Sequence, residues 1–567
     1  MKKTLLLISL LFMASSLFAQ TVWNEVWNMQ QMPFQPENVG SEMSIVKAGF
    51  DTDGDGWGEF ICGYSDTDSN HVMMYEATGD NTYELVWYWH YSTAANTFPG
   101  IAVGDIDNNG KVDIVIGIPM QITGDAPNPP RIFIFEWNGV QGENKYGREQ
   151  GDGTFKPTNE THFDIPDNTD WRPYSLTIED VDKDGVNELV VGVRMGGRGR
   201  EVLVASVAGG DLSGFGYWVT EYNFAQSEGG SNYCTVTGDL DNDGNTDIFE
   251  MVWNMFTLRI FENTGPDTYE NVNNFEQLYS TEGIDYGALD GLRVVDINGD
   301  GKNEMFIAGT EPNNTLFIAQ NINDVSAMTA DDIVEFYHIP RKIRANGNPT
   351  DGKFRAMYVA DPDQDGKLSL MIAGERNGQI YDLEYKGEGD LADSTSWELT
   401  IAYDQYEAAA VDLGADSAST LTPRFFYGSP AVDMDGDGLS EYVFVNYSTD
   451  KDVWPNDAYV RVIEADKASA VESTDNLIPE TMELTQNYPN PFNPTTVIEF
   501  AVPKNSGHVT LSIYDILGRE IATLVDNELN AGNYKVQFDA SNLPSGIYMY
   551  RLSSNIGSKT MKMILQK

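Results

Sequence analysis

Short apolar runs alternate with acidic, glycine-containing turns over most of the chain. Seven runs stand out: EFICGY (59–64), DIVIGI (113–118), ELVVGV (188–193), DIFEMV (247–252), EMFIAG (304–309), LMIAG (370–374) and EYVFVNY (441–447). Each is strand-length and rich in β-branched or aromatic residues, which predicts a buried β-strand. Runs of the same character lead into the turns, among them GIAVGD, YSLTIED, CTVTGD, LRVVD and MYVAD. Each turn therefore joins two strands of a hairpin. There is room for two more strands per unit, as in HVMMYEAT and YELVWYWH after the first turn. Four strands per unit and seven units predict an all-β chain, a seven-bladed β-propeller followed by a small C-terminal β-sandwich.

Ring closure also shows in the pattern. The last unit is one strand short, and residues 21–30 (TVWNEVWNMQ) resemble the fourth strand of the first unit. Residues 22–30 are expected to complete the seventh blade as its outer strand, which leaves fewer open edges.

The turns share one spacing: Asp at position 1, Asp or Asn at 3 and 5, Gly at 6, an acid at 9. That set suits a hard cation, since calcium takes six to eight oxygens and a tight loop supplies them from alternate side chains plus a carbonyl at position 7. The expected ligands are Asp51, Asp53, Asp55, the Trp57 carbonyl and Glu59 in the first turn. The second offers Asp105, Asp107, Asn109, Lys111 (carbonyl) and Asp113; the third Asp180, Asp182, Asp184, Val186 (carbonyl) and Glu188. The fourth offers Asp239, Asp241, Asp243, Asn245 (carbonyl) and Asp247; the fifth Asp296, Asn298, Asp300, Lys302 (carbonyl) and Glu304. The sixth has Asp361, Asp363, Asp365 and Lys367 (carbonyl), with Ser369 in place of the last acid; the seventh Asp433, Asp435, Asp437, Leu439 (carbonyl) and Glu441. Up to seven calcium ions follow, the one at Asp361 weaker or completed by water. A helical calcium hand needs a bidentate Glu at position 12. Here position 12 is Cys62, Ile116, Val191, Glu250, Ile307, Ile372 and Phe444, so the helical hand is excluded.

These turns, each followed by an apolar run that often ends in glycine, resemble the FG-GAP/VCBS repeat family, the propeller type of integrin α-subunit heads. The resemblance covers residues 21–467, and a propeller over 20–467 is expected. Residues 468–483 lack periodicity and read as a linker. Beyond it, QNYPNPFNP (486–494), YDILGREI (514–521), AGNY (531–534), LPSGIYMYRL (543–552) and a basic end resemble the C-terminal sorting domain of type IX secretion substrates over 484–567. That resemblance implies passage through the type IX machinery of a Gram-negative bacterium. Removal of this domain, then release or attachment to the outer cell surface, would follow.

The two ends and the charge agree with export. Lys2 and Lys3 precede an apolar run and a small-residue stretch ending at Ala19, the pattern of a signal peptide over 1–19. No later run is long enough for an integral membrane segment. With 87 acidic against 35 basic residues the formal charge is −52, which argues against nucleic-acid and anionic-membrane partners and favours cations. The two cysteines, Cys62 and Cys234, lie in apolar runs and are expected to be buried free thiols.

A catalytic constellation does not emerge. His71, His90, His162, His338 and His508 are not spaced as metal pairs, and no nucleophile elbow or phosphate loop occurs. Loops entering the first strand of each blade should lie opposite the cation turns. They hold Trp171, Arg172, Tyr174, Tyr233, Tyr286, Arg355, Arg424 and Tyr427, side chains suited to sugar stacking or carboxylate recognition. Arg194, Arg198 and Arg200 make a basic spot. The competing expectation is that these aromatics pack between blades and the arginines pair with local acids. Two functions stand: a binding or adhesion module for glycans or surface proteins, or a secreted propeller enzyme, a polysaccharide lyase or hydrolase, in which Arg or Lys neutralises a uronate.

Overall fold

A computed structural model of the chain describes residues 21–567 except 35–41, 67–68, 94–97, 121–128, 164, 166–168, 196–198, 211, 213–217, 227–229, 277, 279–285, 312–313, 351, 431–432, 467–471, 474–481, 505–506, 530–531 and 541–542. The expected signal peptide, Arg198 and most of the expected linker lie outside the described residues. Two compact units are seen, Trp23–Asp466 and a C-terminal one taking in Lys467–Lys567.

The larger unit is a β-propeller built of four-stranded antiparallel units, seven among the described residues. Their innermost strands are Glu42–Phe50, Gly100–Gly104, Pro173–Glu179, Asn232–Gly238, Tyr286–Val295, Lys353–Ala360 and Phe425–Pro430. Each packs on the next in chain order, and the last packs on the first. Units five and six share one parallel bridge, Asp290 with Ala356, and so count as one eight-stranded sheet. Unit two carries an inserted hairpin, Arg148–Glu149 with Phe155–Lys156, before its outer strand Asn159–Thr161.

The second strands explain the unbroken apolar runs. Glu59–Ser65, Glu188–Val193, Asp247–Val252 and Ser440–Asn446 are buried at every residue, because a strand between two neighbours in a blade, with further blades above and below, has no solvent face. The outer strand Thr82–Ser92 does meet solvent and mixes buried with exposed positions. Glycine within these runs has a steric cause. A Cβ on Gly63 would sit 2.2 Å from Ser44 Oγ, and one on Gly192 2.4 Å from Thr235 Oγ1.

The N-terminal strand closes the ring. Val22–Met29 is the outer strand of the seventh unit, beside Val460–Asp466. Tyr459 N donates to Met29 O at 2.9 Å, and the buried Arg461 pairs through Nε with Glu25 Oε2 at 3.1 Å. Trp23 Nε1 donates to Asp382 in unit six at 3.1 Å. Trp27 packs on Phe60, Tyr75 and Tyr83 of unit one with ring centroids 5.8, 5.4 and 5.7 Å away. One strand thus ties three blades. Cys62 and Cys234 are buried free thiols, as expected.

A nine-residue helix, Gln405–Leu413, follows the outer strand of unit six and departs from the all-β expectation. Asp404 caps it by accepting from Tyr406 N and Glu407 N, and alanines fill its middle.

The C-terminal unit stacks two four-stranded sheets. One centres on Thr495–Val502 and Gly532–Asp539, the other on His508–Tyr514 and Gly546–Ser554. The QNYPNPFNP stretch is pinned by the buried Asn487, whose Nδ2 donates to Pro489 O and Thr496 Oγ1. Asn487 N donates to the Tyr550 hydroxyl, which itself donates to Thr485 O.

Candidate metal centres and an arginine-rich face

All seven turns share one geometry. The position-1 Asp folds over the turn, and its Oδ2 accepts the N–H of the position-6 glycine at 2.7–3.2 Å. Those glycines have φ between 86° and 97°, a region closed to most side chains. The position-5 side chain accepts the N–H of position 7 at 2.7–2.9 Å. That bond fixes Trp57, Lys111, Val186, Asn245, Lys302, Lys367 and Leu439. The position-9 acid, on the outgoing strand, turns back to accept the position-2 N–H at 2.7–3.2 Å in turns one, two, three, five and seven. Asp247 instead accepts from Asn263 N at 3.1 Å.

The carboxylates therefore converge. Asp180, Asp182, Asp184 and Glu188 place one oxygen each within 4.8 Å of the others, as do Asp433, Asp435, Asp437 and Glu441. Asp51, Asp53 and Glu59 form such a group, and so do Asp105, Asp107 and Asp113. Burial, reinforced by the repulsion of neighbouring carboxylates and opposed by the hydrogen bonds they accept, pushes Glu59, Asp113, Glu188, Asp247 and Glu441 up to about 8, Glu304 to about 7 and Asp107 to about 6. Asp53 Oδ2, Asp107 Oδ1, Asp113 Oδ1, Asp247 Oδ2 and Glu441 Oε1 are buried with no hydrogen-bond partner. Orphaned acceptors in an all-oxygen donor set fit a hard divalent cation.

Two further features lie outside the motif. The second oxygen of the position-3 acid is taken by the next blade: Asp267 N donates to Asp182 at 2.5 Å, Val325 N to Asp241 at 3.0 Å, and Asn81 N to Asp435 at 2.6 Å. The third strand also adds an acid, since the oxygens of Glu76, Asp53 and Asp55 converge within 4.8 Å. The packing of neighbouring blades brings about the first and strand register the second; local spacing reveals neither.

At the other end of the innermost strands, the expected stacking platform is largely core. Trp171, Tyr174 and Tyr427 are fully buried, and the Tyr174 and Tyr427 hydroxyls meet at 2.5 Å. Tyr233 packs edge-on to Tyr174 at 4.6 Å. These rings fill the space where the inner strands begin, so Trp171, Tyr174 and Tyr427 offer no face to a sugar. Arg172 pairs with Asp170 at 3.0 Å. Tyr286 opens its innermost strand. The basic spot also divides: Arg194 lies over the Tyr233 ring at 5.0 Å, whereas Arg200 is buried 3.8 Å from Glu250.

What remains is an arginine cluster. Glu375 binds Arg355 Nε at 3.0 Å and Arg424 Nε at 3.1 Å, with Arg376 at 3.8 Å. Arg424 lies 4.2 Å over the Tyr447 ring and 4.9 Å over Phe426, which stack at 4.1 Å. Arg355 faces Phe426 at 5.1 Å and Trp253 at 5.7 Å. The arginines hold the Glu375 carboxyl below its usual range even though burial pushes it up. Three guanidinium groups thus surround one carboxylate.

Two histidines also meet. His71 and His90 are register partners in unit one, with rings 6.0 Å apart. His71 Nδ1 lies 2.7 Å from the Tyr88 hydroxyl and Nε2 3.5 Å from Asp66. Burial lowers the His71 pKa despite Asp66. Tyr88 and His90 line a cleft of about 530 Å³ against Gln150, Thr154 and Lys156 of the inserted hairpin.

Residues 486–566 match the family model of the secretion system C-terminal sorting domain, and residues 51–116 that of the FG-GAP-like repeat. No curated protein sequence matches the chain. Among solved structures, a lectin of Agrocybe aegerita that recognises non-reducing terminal N-acetylglucosamine is 13% identical, with TM-score 0.34, covering 65% of this chain and 81% of the lectin. PorZ, a surface component of the type IX secretion system of Porphyromonas gingivalis, is 13% identical with TM-score 0.36, covering 94% of this chain and 61% of PorZ. The periplasmic gluconolactonase of Pseudomonas aeruginosa is 10% identical with TM-score 0.39, covering 63% and 83%. Likeness at that level carries no argument about function. The C-terminal match marks the chain for sorting by the type IX system. Among the described residues no helix is long and apolar enough to cross a membrane.

Proposed function

We propose that this chain is an exported, calcium-stabilised propeller that binds acidic ligands, uronate-bearing glycans foremost, beside Arg424. The observation that carries this reading is the charge inversion around Glu375: three arginines on one carboxylate, in a chain of net charge −52. An arginine fork matches a carboxylate in two parallel hydrogen bonds, and its stacking on Tyr447 and Phe426 holds the fork flat. The Arg424 side chain is 31% exposed and Arg376 49%, so both reach solvent. The calcium ions serve the scaffold, one at each occupied turn. Residues 20–467 then work at the cell surface or in the medium, with 484–567 as the address.

The test is binding to uronate-rich and to neutral polysaccharides, run beside turnover assays. Arg424→Ala should weaken the acidic ligands about tenfold or more, the worth of a charged hydrogen bond, and leave any neutral binding alone. Equal binding of both ligand classes would refute the acidic reading. Product release would favour a lyase or hydrolase. The grouping of His71, Asp66 and Tyr88 in unit one is what favours that second reading, and His71→Ala should then abolish turnover.

A further inference from the structure

The sixth turn departs from the others, and its partners suggest why it tolerates Ser369. We propose that the ammonium of Lys367 occupies this turn in place of a divalent cation, with Glu384 supplying the carboxylate that Ser369 lacks. The inference rests on the reading that the turns bind calcium.

Register supplies the acid. Glu384 is the strand partner of Ser369. The same relation pairs Glu76 with Glu59, Glu136 with Asp113 and Glu464 with Glu441. In the first turn that third-strand acid already converges with the loop acids. In the sixth it is the acid that remains at the outgoing-strand end.

Lys367 supplies the charge. Its Nζ contacts the Asp365 carboxylate and lies 3.4 Å from Glu384 Oε1. It therefore bridges a loop acid and the third-strand acid. The turn itself is formed as in its siblings, with Asp361 accepting from Asp365 N at 3.1 Å and Gly366 N at 2.9 Å.

Two other turns carry lysine at this position, and neither is equivalent. Lys111 contacts Glu136, yet Asp107 Oδ1 and Asp113 Oδ1 stay buried without partners, so that turn still calls for an ion. Lys302 hydrogen-bonds the neutral Asn321, at 3.4 Å, and among the described residues no salt bridge joins it to an acid. In the sixth turn the Ser369 hydroxyl is buried without a partner, whereas among the described residues no oxygen of Asp361, Asp363 or Glu384 is. The position-7 residue is expected to ligate through its backbone carbonyl, so removing the lysine side chain leaves that ligand in place.

The test counts ions. The full chain and its Lys367→Met variant are stripped of metal and saturated with calcium. Bound calcium is then measured by elemental analysis after gel filtration, with calorimetry in parallel. The variant should hold one more ion than the parent, and its melting temperature should fall further when chelator is added. Lys302→Met should leave the count unchanged. Equal non-zero counts in parent and Lys367→Met would overturn this inference alone. A count of zero in both would overturn the calcium reading and this one with it. If Lys367→Met folds only in calcium, purification in calcium keeps the count measurable.

Discussion

Calcium binding at neutral pH should release close to one proton per buried outgoing acid. Glu59, Asp113, Glu188, Asp247 and Glu441 are all at most 2% exposed, and burial raises each to about 8 without an ion. At pH 7 a carboxyl titrating near 8 is about nine-tenths protonated. A carboxylate must be ionised to ligate, so loading these five turns should expel four to five protons, roughly, and Glu304, near 7, about half of one more. The same shifts fix the pH dependence of the metal-free chain. Folded values lie above the ordinary 3.8 and 4.5, so the folded state binds more protons than the unfolded state in that window. The stability tied to these protons is fully present below the unfolded values and is lost as pH rises through the folded ones, at about 1.4 kcal/mol per unit and group. One glutamate costs about 3 kcal/mol by pH 7. A few such turns approach the whole stability of a domain, about 5–15 kcal/mol. The metal-free chain should therefore melt higher at pH 5 than at pH 7.5, and saturating calcium should reverse the order. Calorimetry at pH 7 in buffers of different ionisation enthalpy reads the proton count directly. A binding heat independent of buffer, or chelated melts that do not fall as pH rises, would mean that these acids are already ionised in the metal-free fold.

The clasp should carry measurable stability: Trp27→Ala loses three aromatic contacts and should cost about 3 kcal/mol, and deleting residues 20–35 should lower the melting temperature further, both read by calorimetric melting. Gly58→Ala should destabilise by about 1–3 kcal/mol, because its Cβ would lie 2.8 Å from Met434 Cα where turn one donates Gly58 N to Met434 O; chemical denaturation measures it. Ile516 and Leu517 are 74% and 76% exposed on a turn held by Asp515. Ile516→Ser with Leu517→Ser should leave the fold intact by circular dichroism and reduce the secreted fraction in a cell-fractionation assay.

Chemistry set within nine consecutive residues was legible in the sequence. The turns needed only alternate acids and one glycine, and the blades only apolar runs between them. The clasp was legible because its composition matched an outer strand. Contacts made by register were not. Glu375 meets Arg355 from the neighbouring strand and Arg424 from the segment before the innermost strand of unit seven, and Glu384 meets Ser369 across a pair. His71 and His90 were within reach, since pairing HVMMYEAT with YELVWYWH across Asp80–Asn81 puts them opposite one another. The helix at Gln405–Leu413 also had its signal, an Asp cap before an alanine-rich stretch. Trp171, Tyr174 and Tyr427 misled because an aromatic at a strand entrance suits a ligand or the ring interior equally, and only the packing of neighbouring inner strands decides.

That packing also implies that the two ends of a blade act together. Arg355 lies on Lys353–Ala360, which runs into the turn at Asp361, and Arg424 immediately precedes Phe425–Pro430, which leads to the turn at Asp433. An empty seventh turn leaves Asp433, Asp435, Asp437 and Glu441 clustered without a counter-charge, at the end of the strand that positions Arg424. Loss of the ion there should loosen that strand and weaken acidic-ligand binding, although no ion touches the ligand. Asp433→Ala should therefore lower affinity for an acidic glycan severalfold in saturating calcium. Asp105→Ala, whose strand Gly100–Gly104 carries no arginine, should leave it unchanged. Both affinities come from calorimetric titration of one glycan. Equal losses in the two variants would mean that ion loss acts on the ring as a whole, and no loss in either would mean that the two ends of the strand are independent.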